Sequence, residues 1–384
     1  MERVGTNMRS FLLALACACM FSFVKAQGSF ASPVSGAAVA ANDILTVAKG
    51  MVDAAARPAT AWNGPRNGPR AQPGKRIAVV AENLHNGGIL GVIDGVLEAA
   101  RVIGWNVRIF DARGTADLRL NVLSDALTSR PDGLIIAGGD AHALLPALLP
   151  FAEQHIPIVG WHVAAQAGPV SGTPVSMNVS SDPREVARAT ALAAIAQSDG
   201  RAGVVIFTDS NFRIAQDKAD AMAAVVRACS DCTLLEVRDV AISRCQELMP
   251  GTTRALLARY GRRWTYALAV NDIYFDYTAP VLTQVGLPTA AMSMLSAGDG
   301  SESAFMRIRT GTFQTGTVAE PLHLHGWQLI DELNRLFAGE DVTGYVSPAH
   351  LVTADNIAGY GGDRLLYDPA NGYRDIYRRI WQRP

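Results

Sequence analysis

The stretch RIAVVAENLHNGGILG at Arg76–Gly91 decides the predicted fold of this chain. Its apolar run, Ile77 to Ala81, has the length and composition of a strand buried on both faces, and a polar loop with paired glycines follows it. Beyond the loop, apolar residues recur at helical spacing from Ile89 to Ala100. The stretch therefore predicts a strand that delivers a loop to a helix N-terminus, which is where α/β folds bind ligands.

The same unit repeats along the chain in two blocks. The first block continues to Trp161, and the second begins near Ser180, where Asp182-Pro183 has the signature of a helix start. Strands that alternate with helices indicate parallel sheets covered on both faces. We therefore predict an α/β protein with two similar doubly wound lobes. The first lobe is expected at 75–178 plus 320–350, and the second at 179–319 plus 351–384.

The N-terminus predicts export. Arg3 and Arg9 precede an apolar run from Phe11 to Val24, and Val24-Lys25-Ala26 offers small residues at the cleavage positions of a signal peptide. We expect residues 1–26 to be a signal peptide cleaved near Ala26, which places the protein in the periplasm. An uncleaved anchor and a lipoprotein site at the early cysteines are the alternatives. Residues 27–74 are expected to be an extension and a Pro/Gly-rich linker without an assigned role.

The net charge and the spacing of the cysteines reduce the number of possible classes of function. A formal net charge of -1 supplies no general attraction for nucleic acid or an anionic membrane. Cys229 and Cys232 have the spacing of a redox motif, but they follow a predicted helix instead of opening one. Export then favours a local disulfide between them, with Cys245 left over.

Polar residues follow nearly every predicted strand, where a cleft between two lobes would be lined. This set is rich in Asn, Asp and aromatic residues: Glu82, Asn83, His85, Asn86, Asp140, Trp161, His162, Asp209 to Phe212, Asn271, Asp272 and Asp299. Carboxylates and amides suit vicinal hydroxyls, and aromatic rings suit the C–H faces of a sugar.

From Lys75 to Asn356 the chain resembles the ribose- and galactose-type periplasmic sugar-binding proteins, which are the substrate-binding subunits of ABC transporters. The segments that carry the resemblance are RIAVVAENLHNGG, DGLIIAGGDAHAL, IPIVGWH, YALAVND, SAGDGSES and GTVAEPLHLHGWQLIDELNRLFAGE. The resemblance implies strands that cross between the lobes near Asn178–Ser181, Gly316–Ala319 and Leu351–Ala354. It also implies that the helix at Leu322–Phe337 returns to the first lobe.

The resemblance further implies a set of ligand contacts. They fall on Asn86, Trp161, His162, Lys218 (or Gln216), Asn271, Asp272, Asp299 and Glu320. Trp161 and His162 stand where ribose binders commonly carry Asp-Arg, and the aromatic pair of the ribose loop is Gly88-Ile89 here. These departures argue against ribose itself.

Each of these residues also has a structural interpretation. Asn86 could serve a turn, Asn271 and Asp272 could cap a helix, and Asp299 could cap the helix that starts near Ser301. Trp161 could be a core aromatic and His162 a structural histidine. Glu320 could open the last large helix, and Lys218 could be a solvated helix residue.

The sequence therefore predicts a monomeric, non-enzymatic periplasmic protein that captures a small carbohydrate, a sugar or polyol, and presents it to an ABC permease. No cofactor and no metal are expected, since His323 and His325 lie two apart and point to different sides of a helix. The alternative is a sensory protein whose closed form is recognised by a receptor kinase or chemoreceptor.

Overall fold

A computed structural model describes residues 41–57 and 60–383 of the chain. The predicted signal peptide lies outside the described residues. No helix in these ranges is long and apolar enough to span a bilayer.

The first lobe is built on a five-stranded parallel sheet with the order β2-β1-β3-β4-β5. Its strands are β1 (Arg76–Ala81), β2 (Asn106–Asp111), β3 (Gly133–Ala137), β4 (Ile158–Trp161) and β5 (Val175–Val179). Its connecting helices are α2 (Gly87–Ile103), α3 (Ala116–Thr128) and α4 (Leu145–Glu153).

Alternate residues of β1 enter two different cores. Ile77 and Val79 belong to a cluster with α2, whereas Ala78 and Val80 pack on the other face with residues of α3 and α4. All four side chains are at most 2% exposed. Burial on both faces explains why β1 is a continuous apolar run.

The second lobe is built on a six-stranded sheet with the order β11-β10-β9-β8-β6-β7. All neighbours are parallel except β11, which pairs antiparallel with β10. Its strands are β6 (Gly203–Thr208), β7 (Thr233–Asp239), β8 (Tyr266–Ala269), β9 (Ser293–Ser296), β10 (Gln314–Ala319) and β11 (His350–Thr353). Its helices are α5 (Pro183–Gln197), α6 (Arg213–Ala228), α7 (Cys245–Tyr260), α8 (Ile273–Gln284) and α9 (Glu302–Thr310). The two parallel-dominated lobes confirm the predicted fold class.

The chain passes between the lobes after β5 and again after β10. Helix α10 (Leu322–Ala338) lies in the first lobe, where Gly326 approaches the backbone of Gly95 and Val96 in α2 so closely that a Cβ would lie 2.3 Å from an α2 nitrogen. The chain then returns to the second sheet as β11.

The last helix differs from its predicted place. Helix α11 (Tyr373–Trp381) was expected in the second lobe with 351–384, but Tyr377 and Trp381 belong to the core of the first lobe. The indole of Trp381 stacks on Trp327 of α10 with ring centroids 5.4 Å apart. The part of this segment as far as Tyr367 does pack with the second lobe, since Ile357 and Tyr367 share a core cluster with Phe305 and Ile308 of α9. The predicted division is therefore wrong only for α11.

The segment before β1 is not a free linker. Helix α1 (Ala41–Ala55) packs on the second lobe, with Ala48 fully buried in its core. Farther along, Trp62 is 7% exposed and packs against Tyr345 and Tyr377 of the first lobe. The N-terminal segment, defined here as residues 41–57 and 60–72, therefore contacts both lobes.

A disulfide joins Cys229 at the end of α6 to Cys232, and the remaining cysteine of the described residues, Cys245, is buried and free.

Candidate functional site in the interlobe cleft

A cavity lies between the lobes at the carboxyl ends of the strands, with about 650 Å³ of space that includes its opening to solvent. The first lobe lines it with Glu82, Asn83, Asn86, Ile89, Gly114, Gly138, Gly139, Trp161 and His162. The second lobe lines it with Phe212, Ile214, Ala215, Lys218, Ile242, Ser243, Val270, Asn271 and Asp299. A small molecule in this cavity would contact both lobes, because each lobe supplies half of the lining residues.

The lobes touch across this cleft. A Cβ on Gly88 would lie 2.1 Å from Asp299 Oδ2, and a Cβ on Gly114 would lie 2.5 Å from the Cβ of Ser243. Glycine at these two positions is what lets the lobes approach so closely. Asp299 thereby meets the N-terminus of α2, where the helix dipole favours a negative charge.

Asn86 has two roles. Its Oδ1 accepts the backbone N–H of Gly88 at 2.9 Å and so caps α2. The residue also lines the cavity, and its Nδ2 has no hydrogen-bond partner among the described residues. The turn interpretation and the ligand interpretation are therefore compatible.

Trp161 and His162 form a stacked pair, with ring centroids 3.8 Å apart and an angle of 11° between the planes. His162 adopts a left-handed backbone with φ of 55°, which turns its ring back over the preceding indole. One face of Trp161 is thus covered by His162, and the indole is 2% exposed. Trp161 is a core aromatic that also borders the cavity.

His325 holds the indole of Trp161 in place. Trp161 Nε1 donates to His325 Nδ1 at 3.0 Å, which requires the proton on His325 Nε2, 2.6 Å from Ser347 Oγ. Burial lowers the pKa of His325 to about 4, with Glu320 opposing this effect, so the imidazole is neutral near pH 7. The sequence reasoning considered His325 only as a metal ligand and missed this contact.

Glu320 connects the lobes at the point where the chain crosses. Its Oε2 accepts from the backbone N–H of Ser181 at 3.1 Å and lies 3.1 Å from His162 Nε2. Burial alone raises the pKa of Glu320, but His162 and Lys218 outweigh it and hold the pKa well below its usual range. Glu320 is not among the cavity-lining residues, so the structure places this predicted contact behind the cavity.

Lys218 is buried, contrary to the alternative of a solvated helix residue, at 3% exposure. Its Nζ donates to the carbonyl of Ala297 at 2.8 Å and lies 3.6 Å from Glu320 Oε1 and 3.9 Å from Asp299 Oδ1. The other candidate on this helix, Gln216, is exposed and donates to the Ser210 carbonyl. Lys218 is the one that reaches the cleft.

Asp299 is the central acid of the cleft. Its Oδ2 accepts from Asn271 Nδ2 at 2.7 Å, whereas its Oδ1 has only Lys218 and His162 nearby, each at 3.9 Å. Burial raises the pKa of Asp299 to about 6, against the opposing charges of Lys218 and His162. Both distances exceed that of a hydrogen bond, so Asp299 Oδ1 remains available to a ligand.

The side chains of Asn271 and Asp272 are neighbours in the chain but have different roles. Asn271 accepts from the Ile273 N–H at 3.0 Å and orients Asp299, so it supports the site from its edge. Asp272 turns inward: its Oδ2 accepts from the Gly300 and Ser301 N–H groups, and its Oδ1 accepts from Gln314. The geometry makes Asp272 a support of the loop after β9, and it does not line the cavity.

One group of the described residues has metal-ligating side chains close together. Ligand atoms of His162, Asp299 and Glu320 lie within 4.8 Å of one another. The Lys218 ammonium already supplies a positive charge beside both carboxylates. A metal ion would have to overcome its repulsion, so we assign these residues no metal.

The fold and the cleft define a two-lobe binding protein that encloses a small ligand. Residues 77–341 match the family described as periplasmic binding protein domain, and the chain belongs to this family. This membership confirms the resemblance drawn from the sequence. The search of curated protein sequences gave no match.

Solved structures of ABC transporter solute-binding proteins have the same fold. One from Agrobacterium vitis, with bound allitol, has a TM-score of 0.63 at 18% identity, over 74% of this chain and 97% of that chain. A second from the same organism, with α-D-tagatopyranose, has a TM-score of 0.68 at 15% identity, over 76% and 99%. A third, from Thermotoga lettingae with 5-methylthioribose, has a TM-score of 0.66 at 16% identity, over 80% and 92%.

Proposed function

We propose that this protein captures a small sugar or polyol between its lobes in the periplasm and delivers it to an ABC permease. The observation that carries the proposal is the interlobe cavity, where Lys218 and Asp299 of one lobe face His162 and Asn86 of the other. These groups offer donors and an acceptor to hydroxyls from both sides. The sugar and polyol ligands of the structurally similar transporter proteins support the same ligand class.

Binding acts through lobe closure. A ligand that contacts both lobes stabilises the closed form by its differential affinity for the closed over the open state. The hinge lies where Glu320 meets Ser181, because the chain passes between lobes on both sides of this contact. The permease then recognises the closed form, and the protein itself needs no chemistry on the ligand.

A thermal-melt screen of the purified protein against pentoses, hexoses, deoxy sugars, polyols, sugar acids and amino acids tests the ligand class. A ligand at a thousandfold excess over its dissociation constant should add about 4 kcal/mol to the free energy of unfolding, a clear rise in Tm. A response to amino acids alone, with silence across all carbohydrates, would reject the sugar proposal.

Asp299→Ala supplies the site test. This change removes a cavity-lining acceptor, Asp299 Oδ1, that has no hydrogen-bond partner among the described residues, and we expect the affinity for the responding ligand to fall more than tenfold. Asp217→Ala, which removes a carboxylate that pairs with Arg184 of α5 and does not line the cavity, is the control and should bind normally. Equal affinity of the two variants would remove Asp299 from the site.

Transport and export need separate measurements. Deletion of the gene should abolish uptake of the labelled ligand by intact cells, and uptake at the normal rate would contradict the transport role.

N-terminal sequencing of the protein from a periplasmic extract tests export. The mature chain should begin near Gln27. A chain that retains Met1 would contradict cleavage.

A further inference from the structure

The sheet edges that border the cleft are rich in acidic residues. Of the ten strands β1–β10, nine end in a carboxylate or are followed by one within three residues, and the exception is β4, which His162 follows. Glu82, Asp299 and Glu320 are the acids of this set that lie nearest the cavity. A cleft lined by charges of one sign attracts ligands of the opposite sign and repels those of the same sign.

The two basic side chains that line the cavity already face carboxylates. Lys218 Nζ lies 3.6 Å from Glu320 Oε1 and 3.9 Å from Asp299 Oδ1. His162 lies beside the same two acids, with Nε2 3.1 Å from Glu320 Oε2 and Nδ1 3.9 Å from Asp299 Oδ1. All four side chains are almost fully buried. Neither base is therefore left without a carboxylate that an anionic ligand could replace.

A further base near the cavity, Arg119, is paired in the same way. Its Nε and Nη2 donate to the two carboxylate oxygens of Glu82, and it is Glu82 that lines the cavity. Arg113 and Arg213 are neighbours of lining residues in the chain, but both are exposed and neither lines the cavity. The described residues thus present no unpaired guanidinium to a ligand in the cavity.

The charges of these groups add up to an environment that disfavours anions. Three carboxylates, of Glu82, Asp299 and Glu320, stand against the two permanent cations Lys218 and Arg119. The net charge is -1 when the nearby His162 is neutral and zero when it is protonated. A ligand carboxylate or phosphate enclosed there would be buried without a counter-charge, which is strongly unfavourable.

A neutral hydroxyl suits the same arrangement. Asp299 Oδ1 lines the cavity, is buried and has no hydrogen-bond partner among the described residues, and Lys218 Nζ lies 3.9 Å from it. An oxygen placed about 2.8 Å from both atoms fits between them. A hydroxyl there can donate to Asp299 and accept from Lys218, whereas an ionised carboxylate can only accept. The pair therefore matches a hydroxyl and leaves Asp299 opposed to a carboxylate.

We propose that Asp299 makes the cleft selective for uncharged sugars or polyols and excludes sugar acids. Its carboxylate offsets the charge of Lys218 and accepts from a ligand hydroxyl, so one residue favours the neutral ligand and disfavours the acidic one. This inference rests on the sugar or polyol function proposed above and adds to it a discrimination by charge.

Titration calorimetry with matched pairs tests the inference. Each neutral carbohydrate that raises the Tm in the melt screen is compared with its acid, as D-galactose with D-galacturonate, D-glucose with D-glucuronate and D-sorbitol with D-gluconate. At pH 8 Asp299 is ionised, since burial raises its pKa only to about 6. The acid should bind about a hundredfold more weakly than its partner, or not at all. An acid that binds as tightly as its neutral partner would overturn the inference and leave the carbohydrate function standing. No binding by any carbohydrate would count against both.

Asp299→Asn provides the second arm. The change keeps an acceptor but removes the charge, so Lys218 becomes available to a ligand carboxylate. The affinity for at least one of the acids should rise about tenfold or more. Asp217→Asn removes a carboxylate that pairs with Arg184 and does not line the cavity, so it is the matched control and should leave that affinity unchanged.

Glu320→Gln makes the same test if Asp299→Asn does not fold. Glu320 is the other carboxylate within 4 Å of the Lys218 ammonium, so its neutralisation also leaves that charge in excess. A folded variant of either kind that rejects the acids as strongly as the unmodified protein would overturn the assignment of charge selection to this cluster.

Discussion

Lys218 Nζ lies 3.9 Å from Asp299 Oδ1, and the two side chains are only 3% and 4% exposed. Glu320 Oε1 is 3.6 Å from the same ammonium and has no hydrogen-bond partner among the described residues. Lys218 is thus the cation that allows two carboxylates to share one buried region. Water screens such charges poorly, so the consequences of removing any one of them are large.

Lys218→Met should lower both stability and ligand affinity. The change leaves Asp299 and Glu320 buried without their ammonium, and loss of one partner from a buried ion pair typically costs about 3–5 kcal/mol. We expect a loss of this order in urea unfolding, together with at least a tenfold loss of affinity in calorimetry.

Lys49→Met is the matched control for that experiment. Lys49 pairs with Asp199 at 3.0 Å, but their side chains are 55% and 64% exposed. Removal of such a surface pair should change the free energy of unfolding by less than about 1 kcal/mol. Equal losses in the two variants would show that burial of Lys218 has no special consequence.

His325→Ala should loosen the Trp161–His162 pair. The change leaves the Trp161 indole N–H buried without an acceptor, which costs about 1–3 kcal/mol of stability. Since Trp161 and His162 border the cavity, ligand affinity should fall as well, about threefold to tenfold. His325→Gln, which keeps an acceptor, should recover part of both losses.

His323→Ala serves as the control for this position. His323 is two residues earlier on α10, is partly exposed, and contacts Glu98 and Arg374 away from the cleft. The affinity of the His323→Ala variant for ligand should equal that of the unmodified protein. The positioning role of His325 would be rejected if His325→Ala bound ligand normally while it lost stability.

The sequence predicted the strand ends better than the direction of each side chain there. Asn86, Asn271 and Asp299 reach the cleft because residues that follow buried parallel strands lie at the carboxyl edge of their own sheet, and the carboxyl edges of the two sheets face each other across the cleft. Asp272 satisfies the same rule, yet it turns inward, because the loop after β9 offers two N–H groups and Gln314 offers a third donor. The orientation of the Asp272 side chain depends on the path of the loop after β9. The sequence of that loop has no periodic pattern from which its path could be predicted.

Contacts between residues far apart in the chain were the second feature that could not be predicted from the sequence. Trp62 lies in a Pro/Gly-rich stretch without periodicity, and its burial depends on Tyr345 and Tyr377, far along the chain. The amphipathic pattern of α11 indicates that one face is buried, but it does not say which lobe covers that face. His325 accepts from Trp161 across 164 positions, a pairing that neither residue's neighbours could have indicated.

Glu332 should contribute a loss of stability as pH rises from about 4.5 to about 7. Burial raises the pKa of Glu332 from 4.5 to about 7, opposed by hydrogen bonds from Thr343. In this window the folded chain keeps a proton that the unfolded chain has released, so the free energy of unfolding falls with rising pH. The contribution is at most about 1.4 kcal/mol per pH unit.

Glu332→Gln isolates that contribution, because glutamine stays neutral. In urea unfolding across the window, the free energy of unfolding of the unmodified protein should fall relative to that of the variant as pH rises. Glu302→Gln, at an exposed position in the first turn of α9, should follow the unmodified protein. Parallel curves for Glu332→Gln and the unmodified protein would contradict the raised pKa.

Trp62→Ala should destabilise the protein although Trp62 lies outside both sheets. The indole packs against Tyr345 and Tyr377, and these ring contacts attach the N-terminal segment to the first lobe. Its N–H donates to the carbonyl of Pro65 within the segment at 2.9 Å. Truncation of a buried Trp typically costs about 3–5 kcal/mol, and urea unfolding measures the loss. Val47→Ala, in the same segment but 43% exposed, should cost less than about 0.5 kcal/mol. If the two variants have the same free energy of unfolding, the contact of Trp62 with the first lobe does not contribute to stability.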